Sequence, residues 1–281
     1  MPNLEKALVY KSNSLVEASY RLSVTEQRII LACISQIRRD EAVTDEVMYS
    51  VSAKDIAALS ETDEKTAYRD LREAALRLMS RKVRIEREAN SNVQRKEVLV
   101  CVWVQSIKYV ESEGRVCLRF NKDMLPYLSA LSQQFTKYRL KAVARMSSAY
   151  AIRLYELLAQ WREKGKREVE LDWLRGALEI SDKYPAIKDL KKWVIEPAVA
   201  QINQYSDLKV SYGQRKTGRN VTHLQFVFSP KQPKPEPKPR QARTPGAGAP
   251  LSREYIEKHA QPGESWEDAR RRLSQRKPRP E

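Results

Sequence analysis

The chain reads as an α+β protein: two tandem copies of a helix-turn-helix unit closed by β-strands, then a proline-rich basic tail. Three observations carry this. The order helix, short helix, polar turn, longer helix, strands runs once before residue 136 and again before residue 230. The two copies align without gaps at an offset of 119, which sets Ala58, Leu59, Asp63, Ala67, Asp70 and Leu71 on Ala177, Leu178, Asp182, Ala186, Asp189 and Leu190. Nine of the 14 prolines lie beyond residue 230, where alternating proline deprives the backbone of donors.

In order along the first copy, Ser23 and Glu26 form a capping box, and Ile30, Ile34 and Ile37 recur at helical spacing, so a helix is expected over 23–39. Ser52 and Asp55 form a second box, opening a short helix that ends near Leu59. The polar turn Ser60-Glu61-Thr62-Asp63 leads to a longer helix over 64–80, whose apolar stripe is Ala67, Leu71, Ala74 and Leu78. The β-rich runs 83–87, 98–110 and, after Gly114, 116–120 are expected strands.

In the second copy, 149–161 is an expected helix, 169–171 a short strand, 172–180 a short helix and 187–205 a longer one. The stripe of the last is Ile187, Leu190, Val194, Ala198 and Ile202, and Pro197 should kink or loosen it by removing one backbone bond. Strands at 208–212 and 221–228 flank a basic turn. This is the order of a winged helix-turn-helix, and its repetition reads as an internal duplication. The expected domains are therefore 1–136, 137–230 and a tail, 231–281. In the tail, Pro233, Pro235, Pro237 and Pro239 favour an extended linker. Ser265 and Asp268 mark a capping box for a short basic helix through Arg270, Arg271 and Arg272, in a tail otherwise expected to be largely disordered.

Composition limits the chemistry. The 281 residues carry 52 Lys and Arg against 36 Asp and Glu, a net charge of +16, which suits a polyanionic partner. The charge is uneven: +2 over 1–136, +8 over 137–230 and +6 over 231–281. No run approaches the roughly 18 apolar residues of a membrane helix. Residues 1–11 lack the apolar segment of a signal peptide, so a cytoplasmic protein with no membrane partner is expected. Cys33, Cys101 and Cys117 are too scattered for a disulfide framework or a zinc cluster, and they read as buried small hydrophobes. His223 and His259 stand apart, which starves a nicking enzyme of its histidine cluster. No catalytic residue, metal site or cofactor is expected, and the chain is not read as an enzyme.

The residues suited to DNA lie on the two long helices and the second wing. Taking Leu71 as the core direction, Lys65, Arg69 and Arg72 fall about 100–160° away on one outward face. In the second long helix Lys188 and Lys192 point away from the stripe, while Lys191 projects nearer to it. The turn Gly213-Gln214-Arg215-Lys216-Thr217-Gly218-Arg219-Asn220 puts three cations on an expected flexible tip, suited to the phosphate backbone or the minor groove. A phosphate-binding P-loop is the rival reading of its two glycines. It fails because Arg219-Asn220, not Lys-Ser/Thr, follows, and because a strand rather than a helix comes next.

Three runs resemble the replication initiators of iteron-containing bacterial plasmids. They are Leu22-Ser23-Val24-Thr25-Glu26-Gln27-Arg28-Ile29-Ile30; Asp189-Leu190-Lys191-Lys192-Trp193-Val194-Ile195-Glu196-Pro197-Ala198 with Ile202-Asn203; and Thr222-His223-Leu224-Gln225-Phe226. The resemblance spans about residues 15–230 in order. It implies a sequence-specific double-stranded DNA-binding protein whose second winged helix gives the main base readout. The first would add phosphate and some base contacts and mediate dimerisation. It also implies monomers that start plasmid replication at directly repeated origin sites, together with the host initiator protein and replicative helicase. Homodimers in equilibrium with them would repress the protein's own promoter at an inverted repeat. DNA contact is carried onto Lys188, Lys191, Lys192, Arg215, Lys216 and Arg219, with Lys65, Arg69 and Arg72 as the first module's share. A transcriptional regulator without an initiator role needs the same DNA chemistry, so the residues leave that alternative open.

Overall fold

Side chains cap the helices where the sequence places their starts. In the computed structural model, which describes Leu4 and residues 6–38, 40–87, 97–231, 253–261 and 264–274, Ser23 Oγ accepts from the Glu26 amide at 3.2 Å. Glu26 Oε2 accepts from the Ser23 amide at 2.7 Å in return. Ser52 and Asp55 do the same at 3.1 and 3.0 Å, and Asp63 Oδ1 takes the Thr66 amide at 2.9 Å. Each cap satisfies donors that a helix start leaves unpaired.

The first part runs β1 (Leu8–Ser12), α1 (Asn13–Glu17), β2 (Ser19–Tyr20), α2 (Val24–Ile34), β3 (Tyr49–Ser52), α3 (Ala53–Ser60), α4 (Glu64–Leu78), β4 (Lys82–Arg87), β5 (Glu97–Val102), β6 (Val104–Val110), β7 (Arg115–Phe120), β8 (Phe135–Arg139) and α5 (Lys141–Ala144). Helix α2 stops at Ile34, short of the expected residue 39. The side chains of Ser35 and Gln36 both turn back onto the Ala32 carbonyl, at 2.8 and 3.1 Å, and Gln36 also reaches the Ser50 carbonyl at 2.9 Å. Such local bonds compete with continuation of the helix. The expected strand 98–110 is two strands. Trp103, fully buried, sits at the break, where the chain leaves the sheet β2-β4-β5 for the sheet β3-β7-β6.

The second part runs α6 (Ala149–Ala159), β9 (Lys166–Glu170), α7 (Leu171–Ala177), α8 (Ile187–Leu190), α9 (Glu196–Tyr205), β10 (Leu208–Thr217) and β11 (Asn220–Pro230). A π-helical stretch, Lys191–Ile195, joins α8 to α9, and the Glu196 amide bonds to the Lys191 carbonyl. The expected loosening at Pro197 takes this form: the ring and missing N–H of proline are accommodated by a wider turn just before it.

The duplication is visible in the sheets. The second sheet is ordered β10-β11-β9 and the corresponding first sheet β6-β7-β3, all antiparallel. In each, the strand before the short helix pairs with the last strand of the wing. The hairpin β4-β5 is an insertion in the first copy. The gapless alignment holds at Leu71 and Leu190, both fully buried. It fails at the helix start, because Asp63 caps α4 whereas the matching Asp182 lies in a turn and Ala186 precedes α8. The second copy has the longer connection, so its recognition helix begins four residues later in the alignment.

A buried carboxylate ties α6 to the first strands of the chain and to β8. The expected boundary at 136/137 falls within β8, which pairs with β1. Glu156 of α6 accepts from Lys11 Nζ at 2.6 Å and from the Tyr138 hydroxyl on Oε1, and from Tyr20 at 3.1 Å and Arg153 at 3.0 Å on Oε2. Arg153 also donates to the carbonyls of Val16 and Ala18, at 3.0 and 2.8 Å. Its guanidinium lies 3.8 Å from the Tyr20 ring centroid.

The chain divides into two compact units, Met1–Lys231 and Gln232–Glu281. In the second, α10 (Arg253–His259) and α11 (Trp266–Ser274) share a small core of Ile256, Ala269 and Leu273. Ser265 caps α11 through the Asp268 amide at 3.3 Å, at the site the sequence marks. Arg272 pairs with Glu264 at 2.7 Å. The proline-rich segment 232–252 and residues 275–281, where much of the expected disordered tail falls, lie outside the described residues.

Burial on its own would raise the Glu156 carboxyl, but the charges of Lys11 and Arg153 and the hydrogen bonds from Lys11 and Tyr138 outweigh it and hold the group at about 2, below its ordinary 4.5. A carboxyl lowered by folding stabilises above its ordinary value and loses that contribution as pH falls through the lowered one. Glu156→Gln is therefore expected to cost roughly 3–5 kcal/mol at neutral pH, because two buried cations lose their partner. In urea unfolding the gap to wild type should narrow between about pH 4.5 and 2, where wild type itself is protonated.

Candidate nucleic-acid interface

The second recognition helix is delivered by an arginine. Residues 178–186 connect α7 to α8, with Glu179 and Tyr184 at φ 51° and 52°. Arg175 of α7 gathers this connection, donating to the carbonyls of Lys183 at 2.8 Å, Tyr184 at 2.7 Å and Pro185 at 3.2 Å. Beyond it Lys188 and Lys192 are exposed. Lys192 Nζ lies 4.8 Å from the ring centroid of Trp193, which is itself 57% exposed. Lys191 is half-buried and turns toward the sheet, its Nζ 3.3 Å from Gln214 Oε1 and 5.9 Å from the Tyr212 ring centroid. It ties the helix to the base of the wing.

The wing itself is more ordered than the expected flexible tip. Strand pairing continues to Thr217 and Asn220, so only Gly218 and Arg219 form the turn, with Gly218 at φ +61°. A two-residue turn of this kind favours glycine where φ is positive. The register shifts at a bulge between Arg215 and Lys216. Behind the bulge, Arg215 pairs with Glu168 of β9 at 3.0 Å from Nε and 2.8 Å from Nη2. Beyond it, Lys216 and Arg219 are exposed and form no ion pair among the described residues.

The first module presents less charge. Its helix-turn-helix turn is short, with Glu61 at φ 54°. Lys65 is exposed. Arg69 bonds to its neighbour Asp70 at 3.2 Å, and Arg72 lies 3.6 Å from Glu111. The tip of the first wing, Glu111–Glu113 followed by Gly114 at φ +55°, carries two carboxylates. The Tyr68 hydroxyl donates to the Glu111 carbonyl at 3.0 Å, pinning that tip to α4. Exposed pairs such as these are worth only about 0–1 kcal/mol, so they reduce the charge presented more than they stabilise the fold. Arg145, between the modules, pairs with Glu61 at 2.6 Å and stacks 5.3 Å from the Tyr205 ring centroid.

The nine sequence-predicted positions thus fall into two groups. Lys188, Lys192, Lys216, Arg219 and Lys65 project outward, and the other four are engaged by neighbouring side chains. Arg175 and Glu168 carried no sequence signal, because their partners are carbonyls of a connection and an arginine 47 residues away. Among the described residues, no group of three or more His, Cys, Asp and Glu could hold a metal ion, and no helix is long and apolar enough to cross a membrane.

Comparison with known proteins also finds two parts, with α6 falling in the first. Residues 8–159 match the family described as "Initiator Replication protein, WH1", and residues 170–228 match "Initiator Rep protein, WH2". The chain is 28% identical over 230 residues to a "Replication initiation protein" of Escherichia coli, covering 79% of this chain and 70% of the relative. It is 24% identical over 256 residues to the "PI protein" of Escherichia coli, covering 80% of this chain and 83% of that one. Among solved structures it shares its fold with the Pi initiator protein, crystallised in complex with iteron DNA. There the TM-score is 0.69 at 24% identity, over 82% of this chain and 99% of that chain.

Arg175→Ala should release the connection before α8. Loss of its bonds is expected to lower local stability by roughly 1–3 kcal/mol. Hydrogen exchange should show faster amides over 183–190 and unchanged protection in β10 and β11. Equal loss of protection in both regions would contradict a local role.

Proposed function

Because the chain belongs to the initiator replication protein family in both its WH1 and WH2 parts, we propose that it is a sequence-specific double-stranded DNA-binding protein that initiates plasmid replication at repeated origin sites. The observation that carries this is one surface of the second module. Exposed Lys188 and Lys192 on the recognition helix stand beside a wing whose tip presents exposed Lys216 and Arg219, and Lys191 links helix to wing through Gln214. A helix in the major groove flanked by a cationic hairpin on phosphate is the geometry by which winged helices read duplex DNA.

In this reading the second module gives the main readout. The first, with Lys65 exposed and a carboxylate-bearing wing, adds weaker contacts and pairs with another copy. As a homodimer the protein represses its own promoter, and as a monomer it acts at the origin with the host initiator protein and the replicative helicase. Arg145, held by Glu61 on one side and Tyr205 on the other, supports a fixed spacing between the two reading heads.

Footprinting on the DNA flanking the gene is expected to protect direct repeats of about two helical turns, and protection of a single turn would restrict binding to one module. A plasmid deleted for the gene should replicate when the protein is supplied in trans, and failure to rescue would overturn the initiator role. Lys216→Ala and Arg219→Ala should each weaken binding to all sequences and lower the slope of log affinity against log salt by about 0.9. Lys188→Ala or Lys192→Ala should instead cost roughly 1–3 kcal/mol at one base position of the site.

A further inference from the structure

The outward face of the second sheet sets a carboxylate against one of the wing's own cations. Gln225 of β11 pairs in register with Glu168 of β9 on one side and with Gly213 of β10 on the other. Arg215 stands two residues along β10 from Gly213, opposite His223. The outer strands that carry Glu168 and Arg215 are two strand spacings, about 10 Å, apart, and the two side chains meet over β11. Both guanidinium bonds fall on Glu168 Oε1, while Gln225 Nε2 donates to Oε2 at 2.7 Å. These bonds, Arg215 first and Gln225 next, hold the Glu168 carboxyl below its ordinary range. The bulge between Arg215 and Lys216 completes the separation. Bulges re-aim side chains, and here one cation is drawn back over the sheet while the next two are left at the tip.

We propose that Glu168 is a specificity-setting residue: by clamping Arg215 over the outer face of the sheet it withholds that cation from DNA phosphate, so the wing engages the backbone through Lys216 and Arg219 alone. This rests on the DNA-binding function proposed above. Phosphate contacts add affinity for every sequence equally, so withholding one lowers the sequence-independent background against which base contacts discriminate. Glu168 touches no DNA in this arrangement and acts only through Arg215.

The test uses the full chain and anisotropy titrations across a salt series. The two probes are the duplex protected in the footprint and a random-sequence duplex of the same length. Glu168→Gln keeps a partner for Gln225 and frees Arg215. It is expected to tighten binding to the random duplex by about 3- to 10-fold at low salt, to steepen the salt slope by about 0.9, and to narrow the specificity ratio. Arg215→Ala is expected to leave the wild-type slope unchanged, and the double variant should match Arg215→Ala alone. A slope unmoved by Glu168→Gln, or one lowered by Arg215→Ala, would show Arg215 already on phosphate and overturn the proposal. Unchanged thermal midpoints, with Glu168→Ala as a second way of freeing Arg215, separate this from misfolding. Wild-type protein that shows no salt-dependent binding to any duplex would overturn the DNA-binding reading itself, whereas unaltered variants of a binding wild type would overturn only the role of Glu168.

Discussion

A single carboxylate buried among two cations and two tyrosines holds the first unit together. Glu156, Lys11 and Arg153 are nearly inaccessible, and removing three charges from water is costly unless every one is met by geometry as close as that found here. The partners come from β1, β2, β8 and α6, and through Arg153 from the carbonyls of Val16 in α1 and of Ala18 just after it. Helix α6 faces both ways: its Arg153 and Glu156 are met by the strands and α1 of the first part, while its Tyr155 hydroxyl donates to Asp207 at 2.8 Å. Arg167 adds a tie from β9 to Glu17 of α1 at 2.7 Å.

Two copies of one topology have diverged in the parts that face outward. Their sheets share one strand order, and Leu71 and Leu190 occupy the same buried position. The first copy has a short turn and a wing ending in carboxylates. The second has a longer connection, fastened by Arg175, and a long hairpin ending in cations. A shared core with different edges is what packing predicts: interior positions are constrained by volume, while tips are limited mainly by solvation and by the ligand they meet.

Formal charge overstates what the second module offers. Its net +8 includes Arg153 and Arg167, both buried. It includes Arg162, paired with Asp207 at 2.6 Å, and Arg175, spent on carbonyls. It also includes Arg145 and Arg215, each ion-paired. These arginines are used for architecture, as their planar, multiply donating head groups suit. The cations left outward on the recognition helix and wing are mostly lysines, with Arg219 at the turn.

The sequence by itself determined the local structure: capped helix starts at Ser23 and Ser52, the apolar stripes of the long helices, and the repeated order of elements that makes two winged helices. Short-range hydrogen bonds and residue periodicity set these, and both are written in neighbouring residues. Tertiary structure alone decided which charges are free. That Arg215 is clamped by Glu168, that Arg72 meets Glu111, that Lys191 leans on the wing and that Glu156 gathers four donors all depend on which strands lie side by side. The break at Trp103 depends on the same thing. An ion pair across 47 residues or a buried contact across 145 leaves no periodic trace, because its energy comes from distance and desolvation, which exist only once the chain has folded.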